Sequence, residues 1–213
     1  MNFTTFKKMP LMGILRGYSI EDTLQILACY SKAGLTTIEI TMNTANADSI
    51  ITACSQQYKS ELNIGAGTVR TIEEAKKAIT AGAQFIVSPI TDATIIRYCR
   101  DKNIPVFPGG FTPTEVFTAW ELGATMVKVF PAQFLGPKYI KELLAPLDQV
   151  KLMPTGGVNQ ENIADYIKAG AKAFGVGSML FDKKLIQSKD WGALEQKMRT
   201  TRMFVEQILN GGC

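Results

Sequence analysis

A lysine in the middle of an apolar run is the first feature of this chain with chemical meaning. The stretch Ala124-Thr125-Met126-Val127-Lys128-Val129-Phe130-Pro131 follows a helix-ending Leu122-Gly123 and stops at a proline. It reads as a buried strand. An unpartnered ammonium is costly to bury, so such a lysine deprotonates or faces a polar cavity. A neutral amine held in a pocket is a nucleophile toward ketones and aldehydes. The alternative is a strand-end lysine that snorkels to solvent, and this segment alone supports both readings. A second charged residue, Glu39, sits in a comparable run, Thr36-Thr37-Ile38-Glu39-Ile40-Thr41. There is no histidine anywhere. That excludes Ser-His and Cys-His nucleophile pairs, imidazole acid-base work and His-ligated zinc. Cys and Asp ligand motifs are not clustered either, so neither a bound metal nor a cofactor is expected. The remaining chemistry rests on Lys, Arg, Glu, Asp, Thr, Ser, Tyr and backbone amides.

Bulk properties narrow the partners. The net charge of +4 is spread along the whole chain, with no basic tract or aromatic-basic cluster. A small anionic ligand fits that pattern and nucleic acid does not. No apolar run approaches the ~20 residues that span a bilayer, so no membrane partner is expected. The opening Met1-Asn2-Phe3-Thr4-Thr5-Phe6-Lys7-Lys8 lacks the apolar core of a signal peptide. Cys29, Cys54, Cys99 and Cys213 are far apart with no paired spacing, which predicts reduced thiols and a cytoplasmic location.

The elements that must position Lys128 and Glu39 show up as a repeat. Ala33-Gly34-Leu35, Ala81-Gly82-Ala83, Leu122-Gly123-Ala124 and Ala169-Gly170-Ala171 each close a helix and open an apolar strand. These glycines stand roughly 45 residues apart, too far for one strand-helix unit and right for two. Eight strands follow: 11–15, 36–40, 62–66, 85–87, 105–107, 125–130, 150–153 and 172–176. Eight amphipathic helices alternate with them. Their starts carry caps: Ser19 with Asp22, Thr71 with Glu73 and Glu74, Thr112-Pro113 with Glu115, and Asn159 with Asn162. Eight parallel strands with eight crossover helices predict an α/β fold, a single (β/α)8 TIM barrel over residues 1–213. An open doubly wound sheet is the runner-up. It wants a dinucleotide turn after strand 1, which Gly13-Ile14-Leu15-Arg16-Gly17 matches poorly.

In a barrel, sites form at the C-terminal ends of the strands. Alternation puts Met126, Lys128 and Phe130 on one face, and Thr37, Glu39 and Thr41 on one face of strand 2. Both strands are even-numbered, so Lys128 and Glu39 are expected to approach each other across the interior. A purely structural ion pair is the alternative, disfavoured because such pairs add little net stability. Strand 3 ends in Gly65-Ala66-Gly67-Thr68, strand 4 in Ser88-Pro89 and strand 5 in Pro108-Gly109-Gly110; singly, each is ordinary turn chemistry. The last two loops are more telling: Pro154-Thr155-Gly156-Gly157-Val158-Asn159 and Gly175-Val176-Gly177-Ser178-Met179-Leu180. Glycines followed at once by a helix start expose N–H groups to an anion, and phosphate sites of these barrels use the same two loops. A phosphorylated ligand is the favoured reading.

Four motifs now carry a family resemblance. Ile38-Glu39-Ile40-Thr41, Gly65-Ala66-Gly67-Thr68-Val69, Val127-Lys128-Val129-Phe130-Pro131-Ala132 and Pro154-Thr155-Gly156-Gly157-Val158 occur in matching order across almost the whole chain. They resemble the 2-keto-3-deoxy-6-phosphogluconate (KDPG) aldolase family, often also active on 4-hydroxy-2-oxoglutarate. The resemblance implies a metal-independent Schiff-base aldolase on a homotrimeric barrel, acting on a phosphorylated keto acid in Entner-Doudoroff sugar metabolism. It makes Lys128 the imine-forming lysine and Glu39 the general acid/base. Thr68, Pro89, Phe130 and Thr155 would line the pyruvate pocket, and Gly156, Gly157, Gly177 and Ser178 would take the phosphate.

One position departs from the family pattern. Many of these aldolases carry an arginine four residues after the glutamate to hold the substrate carboxylate, where this chain has Asn43. Arg16, at the end of strand 1, is expected to supply the guanidinium, since Arg pairs bidentately with carboxylate and Asn cannot. Leu15-Arg16-Gly17 with Asn43 resembles the sister enzymes for 2-keto-3-deoxy-6-phosphogalactonate, whereas the Pro-Thr-Gly-Gly loop is closer to the gluconate type. A phosphate-binding barrel isomerase or epimerase would use the same last two loops, but calls for a carboxylate pair or histidine rather than a buried lysine. A non-enzymatic sugar-phosphate binder is more distant. Trp120, Trp191, Phe174 and the methionines are assigned to packing. Lys183, Lys184 and Lys189 form a solvated face, with one of them available to attract phosphate. The tail Gly211-Gly212-Cys213 is expected to fray.

Overall fold

The structure, a computed structural model, describes residues 1–211. Gly212 and Cys213, with the fraying and the reduced thiol expected there, lie outside the described residues. Gly211 caps the last helix, its N–H donating to the Gln207 carbonyl at 2.8 Å.

The strands are β1 (Leu11–Leu15), β2 (Thr37–Thr41), β3 (Asn63–Gly67), β4 (Ile86–Val87) and β5 (Val106–Phe107). They continue with β6 (Gly109–Gly110), β7 (Val127–Val129), β8 (Leu152–Pro154) and β9 (Phe174–Val176). The helices begin with α1 (Phe3–Lys8), α2 (Ile20–Lys32), α3 (Ala47–Tyr58), α4 (Ile72–Thr80) and α5 (Ala93–Asp101). After them come α6 (Pro113–Glu121), α7 (Gly136–Leu144), α8 (Ile163–Lys168), α9 (Lys183–Gln187) and α10 (Trp191–Asn210). All strand pairing is parallel, in a curled sheet of order β5-β4-β3-β2-β1-β9 and a second sheet of order β6-β7-β8.

This alternation departs from the expected eight-and-eight in three places. The fifth strand is broken in two at Pro108, whose ring nitrogen has no proton to give a ladder, although its carbonyl accepts from Lys128 N–H at 2.8 Å. An extra helix, α1, precedes β1, and two helices rather than one follow β9. The first three strands keep the expected length, but the later ones run shorter than the sequence suggests, β7 keeping only Val127–Val129.

Local chemistry accounts for the boundaries. Ser19 Oγ accepts from Asp22 N–H at 3.1 Å and Thr71 Oγ1 from Glu74 N–H at 3.2 Å. Thr112 and Glu115 form a reciprocal capping box with Pro113 behind it. The cap expected at Asn159 does something else. Its Oδ1 accepts from the N–H groups of Glu161 and Asn162, holding a turn that delays α8 until Ile163. Gly34, Gly82, Gly123 and Gly170 all take positive φ, the conformation that ends a helix and turns the chain toward the next strand.

Burial separates two cores. The larger lies between strands and helices and includes Ile38, Ile40, Val127 and Val129. The smaller lies on the opposite strand face: Phe6, Met12, Phe85, Val87, Phe107, Met126, Met153 and Ala173. Phe6 of α1 reaches this inner core, edge-on to Phe107 at 6.2 Å between centroids. Beside it Asn63 Nδ2 donates to Thr37 Oγ1 at 3.0 Å and to the Asn2 carbonyl at 3.2 Å. The N-terminal ends of the strands are thereby closed by aromatic and amide packing. Phe174 is buried, and Trp120 and Trp191 pack partly buried against the outer core. Met203 departs from the packing assignment, standing exposed on α10.

Candidate active site

Lys128 occupies the centre of β7 and is 5 % exposed. Its flanking valines face the outer core, so strand alternation turns the lysine inward beside Met126. Its Nζ lies 5.0 Å from the centroid of the Phe130 ring. On β2, Glu39 is 1 % exposed, between the inward Thr37 and Thr41. Space for it is made by Gly67, where any Cβ would overlap the Glu39 carboxyl. At β9, Gly175 does the same for Thr155, whose hydroxyl would collide with a Cβ there.

Glu39 and Lys128 influence each other without touching. Among the described residues no salt bridge joins them, and Glu39 Oε1 is buried with no hydrogen-bond partner. A structural ion pair is therefore not what these two residues form. Burial pushes the Glu39 carboxyl above its ordinary value, against the opposing pull of Lys128 and Arg16. Burial likewise lowers the Lys128 amine; Glu39 opposes that fall and the Arg16 guanidinium adds to it. Desolvation dominates at both groups, so both are biased toward their neutral forms.

Above them a cavity of about 590 Å³ opens at the C-terminal ends of the strands. Lys128, Arg16, Thr68, Pro89, Phe130 and Thr155 line it. So do Gly156 and Gly157 after β8, and Gly177 and Ser178 after β9. Arg16 is exposed at the rim, and its Nη2 donates to Thr68 Oγ1 at 3.2 Å. Thr68 holds a left-handed backbone, φ 55°, unusual for a β-branched residue and a form of local strain that collects at functional sites.

Two expectations change here. Asn43 lies outside this cavity: it is exposed on a neighbouring groove with Ser19, Ile20 and Asn46. The loop after β2 turns away because Thr44, buried beneath it, bonds to Thr41 and accepts from the Gly17 N–H. The glycine loops, moreover, are not followed at once by helices. Helix α8 starts at Ile163 and α9 at Lys183, several residues beyond Gly157 and Ser178. The N–H groups that face the cavity belong instead to the loops themselves. Gly156 and Gly157 take positive φ, and the N–H groups of Gly157, Gly177 and Ser178 have no partner among the described residues. Ile14, Tyr18 and Phe181 also line the cavity without a sequence expectation, and of the three lysines expected on a solvated face Lys183 lines it too. Ile14 was findable, since it shares the inward face of β1 with Met12; Tyr18, Phe181 and Lys183 sit in or beyond loops without periodicity.

Comparison with known proteins gives this arrangement a family. A family model described as KDPG and KHG aldolase matches residues 3–197. A 2-dehydro-3-deoxy-6-phosphogalactonate aldolase of Escherichia coli K12 is 38% identical over 82% of this chain and 85% of that protein. A 2-dehydro-3-deoxy-phosphogluconate aldolase of Haemophilus influenzae is 34% identical over 93% of this chain and 97% of that protein. Among solved structures, a KDPG aldolase of Legionella pneumophila superposes with a TM-score of 0.86, at 26% identity, over 92% of this chain and 96% of that one. That structure holds pyruvate captured as a covalent carbinolamine. The chain belongs to the KDPG and KHG aldolase family. It is an aldolase, a lyase.

Proposed function

We propose that this protein is a Schiff-base aldolase cleaving 2-keto-3-deoxy-6-phosphogluconate to pyruvate and glyceraldehyde 3-phosphate, with 4-hydroxy-2-oxoglutarate as a further substrate. The observation that carries this reading is Lys128, buried, biased toward the neutral amine and facing a polar cavity. The amine adds to the C2 ketone to give a carbinolamine, and loss of water gives an iminium. That cation is the electron sink for carbon–carbon cleavage. Glu39, directly or through water, takes the C4 hydroxyl proton, the C3–C4 bond breaks, and the phosphorylated aldehyde leaves. Its electron pair remains as an enamine, which is protonated at C3; water then hydrolyses the iminium, releases pyruvate and restores the amine. In this scheme Arg16 and Thr68 hold the carboxylate, Pro89, Phe130 and Thr155 wall the pyruvate end, and the N–H groups of Gly156, Gly157, Gly177 and Ser178 take the phosphate.

A second reading, with the galactonate epimer as substrate, is carried by Arg16 standing in the cavity while Asn43 stands outside it. An aldol-cleavage assay following pyruvate release from the two epimeric phosphates and from 4-hydroxy-2-oxoglutarate decides between them by kcat/KM. Release from none of the three overturns the function.

Replacing Arg16 by Ala should raise the KM for pyruvate roughly 10- to 100-fold, the usual worth of a charge-assisted hydrogen bond. Arg16→Lys should restore only part, since an ammonium cannot make the forked contact. An unchanged KM for pyruvate in the methyl-proton exchange reaction removes Arg16 from the carboxylate site.

The frame for this chemistry is proposed to be a complete (β/α)8 barrel forming one domain. The Thr155–Gly175 parallel bridge supports it, as does the Lys172 N–H donating to the Leu152 carbonyl at 2.9 Å, for both link β8 to β9 between the two sheets. Chain continuity through Pro108 supports closure on the other side. A homotrimer is proposed as well, supported by the exposed Ile90, Phe117 and Phe134, apolar surface that another copy would cover. The buried free thiols of Cys29, Cys54 and Cys99 favour a cytoplasmic setting.

A further inference from the structure

We infer that Lys183 is a specificity determinant of this aldolase, an exposed cation that completes the phosphate end of the cavity and makes the enzyme select dianionic over uncharged substrate tails. The inference rests on the proposed function, whose glycine loops supply only neutral N–H donors at that end.

Lys183 opens α9 and lines the main cavity together with Gly177 and Ser178, five residues after the serine. It also lines a smaller hollow of about 240 Å³ with Arg16, Gly17, Tyr18 and Gln187. Arg16, Tyr18 and Lys183 therefore border both spaces. Nothing among the described residues neutralises Lys183. The neighbouring carboxylate, Asp182, is engaged elsewhere: Lys197 Nζ donates to its Oδ2 at 2.7 Å, and its Oδ1 accepts from the N–H groups of Lys184 and Leu185 as the α9 cap. Lys183 makes no salt bridge or side-chain hydrogen bond of its own. Two like charges lining one cavity, neither of them in a salt bridge among the described residues, favour an anion near them.

The two cations divide by chain position. Arg16 is tied to Thr68 at the end of β3 and belongs to the keto-acid end. Lys183 continues the Gly177-Ser178 loop and belongs to the other. A lysine suits that end, because an ammonium on a flexible stem meets a rotating phosphate as a point charge rather than as a fixed fork.

The experiment compares the wild type, Lys183→Met and Lys183→Arg in three measurements. These are steady-state cleavage of the phosphorylated keto acid and of its unphosphorylated counterpart, inhibition by inorganic phosphate, and the pyruvate concentration that gives half-maximal borohydride trapping at Lys128. In Lys183→Met the substrate KM and the inhibition constant for phosphate should both rise about tenfold, with kcat within about twofold of wild type. Half-trapping by pyruvate should stay where it was, which also shows that the variant is folded. Lys183→Arg should recover most of the loss. If substrate KM and phosphate inhibition are unchanged while the wild type still prefers phosphorylated substrate, the role of Lys183 is overturned and the proposed function stands. An equal shift in pyruvate trapping also overturns it, since the effect would then reach the whole site. A wild type that traps pyruvate yet neither prefers phosphorylated substrate nor responds to phosphate overturns the phosphate end and Lys183 with it.

Discussion

Lys128→Met is expected to lower kcat/KM for aldol cleavage by roughly 10⁵-fold or more, and to make the protein more stable at neutral pH. The first effect follows from what the amine supplies. Without it there is no iminium, and the electrons of the C3–C4 bond have nowhere to go. Trapping with pyruvate and borohydride should leave a reduced adduct on the wild type and none on the variant. The second effect follows from burial. Methionine matches the lysine stem in length, and an apolar side chain fits a site that is 5 % exposed. Burial lowers the amine below its ordinary 10.5, so folding discourages a proton that the unfolded chain holds. Between the lowered value and 10.5 the unfolded state binds more protons, and wild-type stability rises with pH; below that window the penalty is constant. As long as the lowered value stays above 7, each unit of lowering costs about 1.4 kcal/mol at neutral pH. Thermal unfolding should therefore show a higher Tm for Lys128→Met at pH 7, with the gap closing as pH approaches 10.5. A variant less stable at pH 7 would mean that Lys128 is held in the folded state as a compensated ammonium, and a variant that still cleaves substrate would end the Schiff-base account.

The inner face of the strands was legible in the sequence because period-two alternation is a strong signal even in short strands. Met126 and Lys128, like Thr37, Glu39 and Thr41, face inward because their neighbours Val127, Ile38 and Ile40 are branched and apolar and pack under the helices. The four repeat glycines were legible for a different reason: a helix that must stop and reverse needs a left-handed residue, and glycine takes that conformation without a Cβ clash. What failed to show was tertiary. Asn2 caps α1 and Lys7 and Lys8 stand in its last turn, but nothing local says that Phe6 enters the inner core, since its partners Phe85 and Phe107 are some eighty to a hundred residues away. Asn43 was placed at the site by counting from Glu39. Its displacement comes from Thr44 bonding to Thr41 and Gly17, a contact between two loops that spacing along one strand does not encode. The glycine loops are visible in the sequence, but the distance from the first of them to its helix is not, because Asn159 closes a turn of its own before α8 begins. Of the proposed catalytic pair, the residue types were readable; their lack of a direct contact was not, because it depends on how far apart β2 and β7 stand across the interior.

Glu39→Gln is expected to lower kcat for cleavage by about 10²- to 10⁴-fold, the usual contribution of a positioned acid or base, while leaving imine formation with pyruvate intact. The separation of these two steps is the point. Imine formation needs the Lys128 amine, whereas proton removal from the C4 hydroxyl needs a carboxylate. Glu39 is built to be one only when required: its Oε1 has no hydrogen-bond partner, and burial raises it above the ordinary 4.5. A carboxyl held in that way accepts a proton readily, and in its acid form can return one to C3 of the enamine. Both groups act on the acid side of the pH profile. Cleavage requires Glu39 ionised, which happens above its raised value, and Lys128 neutral, which is favoured above its lowered one. The wild-type profile of kcat/KM should therefore climb with pH through two limbs, one above 4.5 and one below 10.5. Glutamine cannot titrate, so the variant should keep the lysine limb and lose the carboxyl one. Its rate of pyruvate methyl-proton exchange should fall alongside cleavage, because the same atom delivers and removes the proton at C3. If Glu39→Gln exchanges those protons at the wild-type rate, another group carries the proton, and the buried oxygen of Glu39 serves only to set the charge on Lys128.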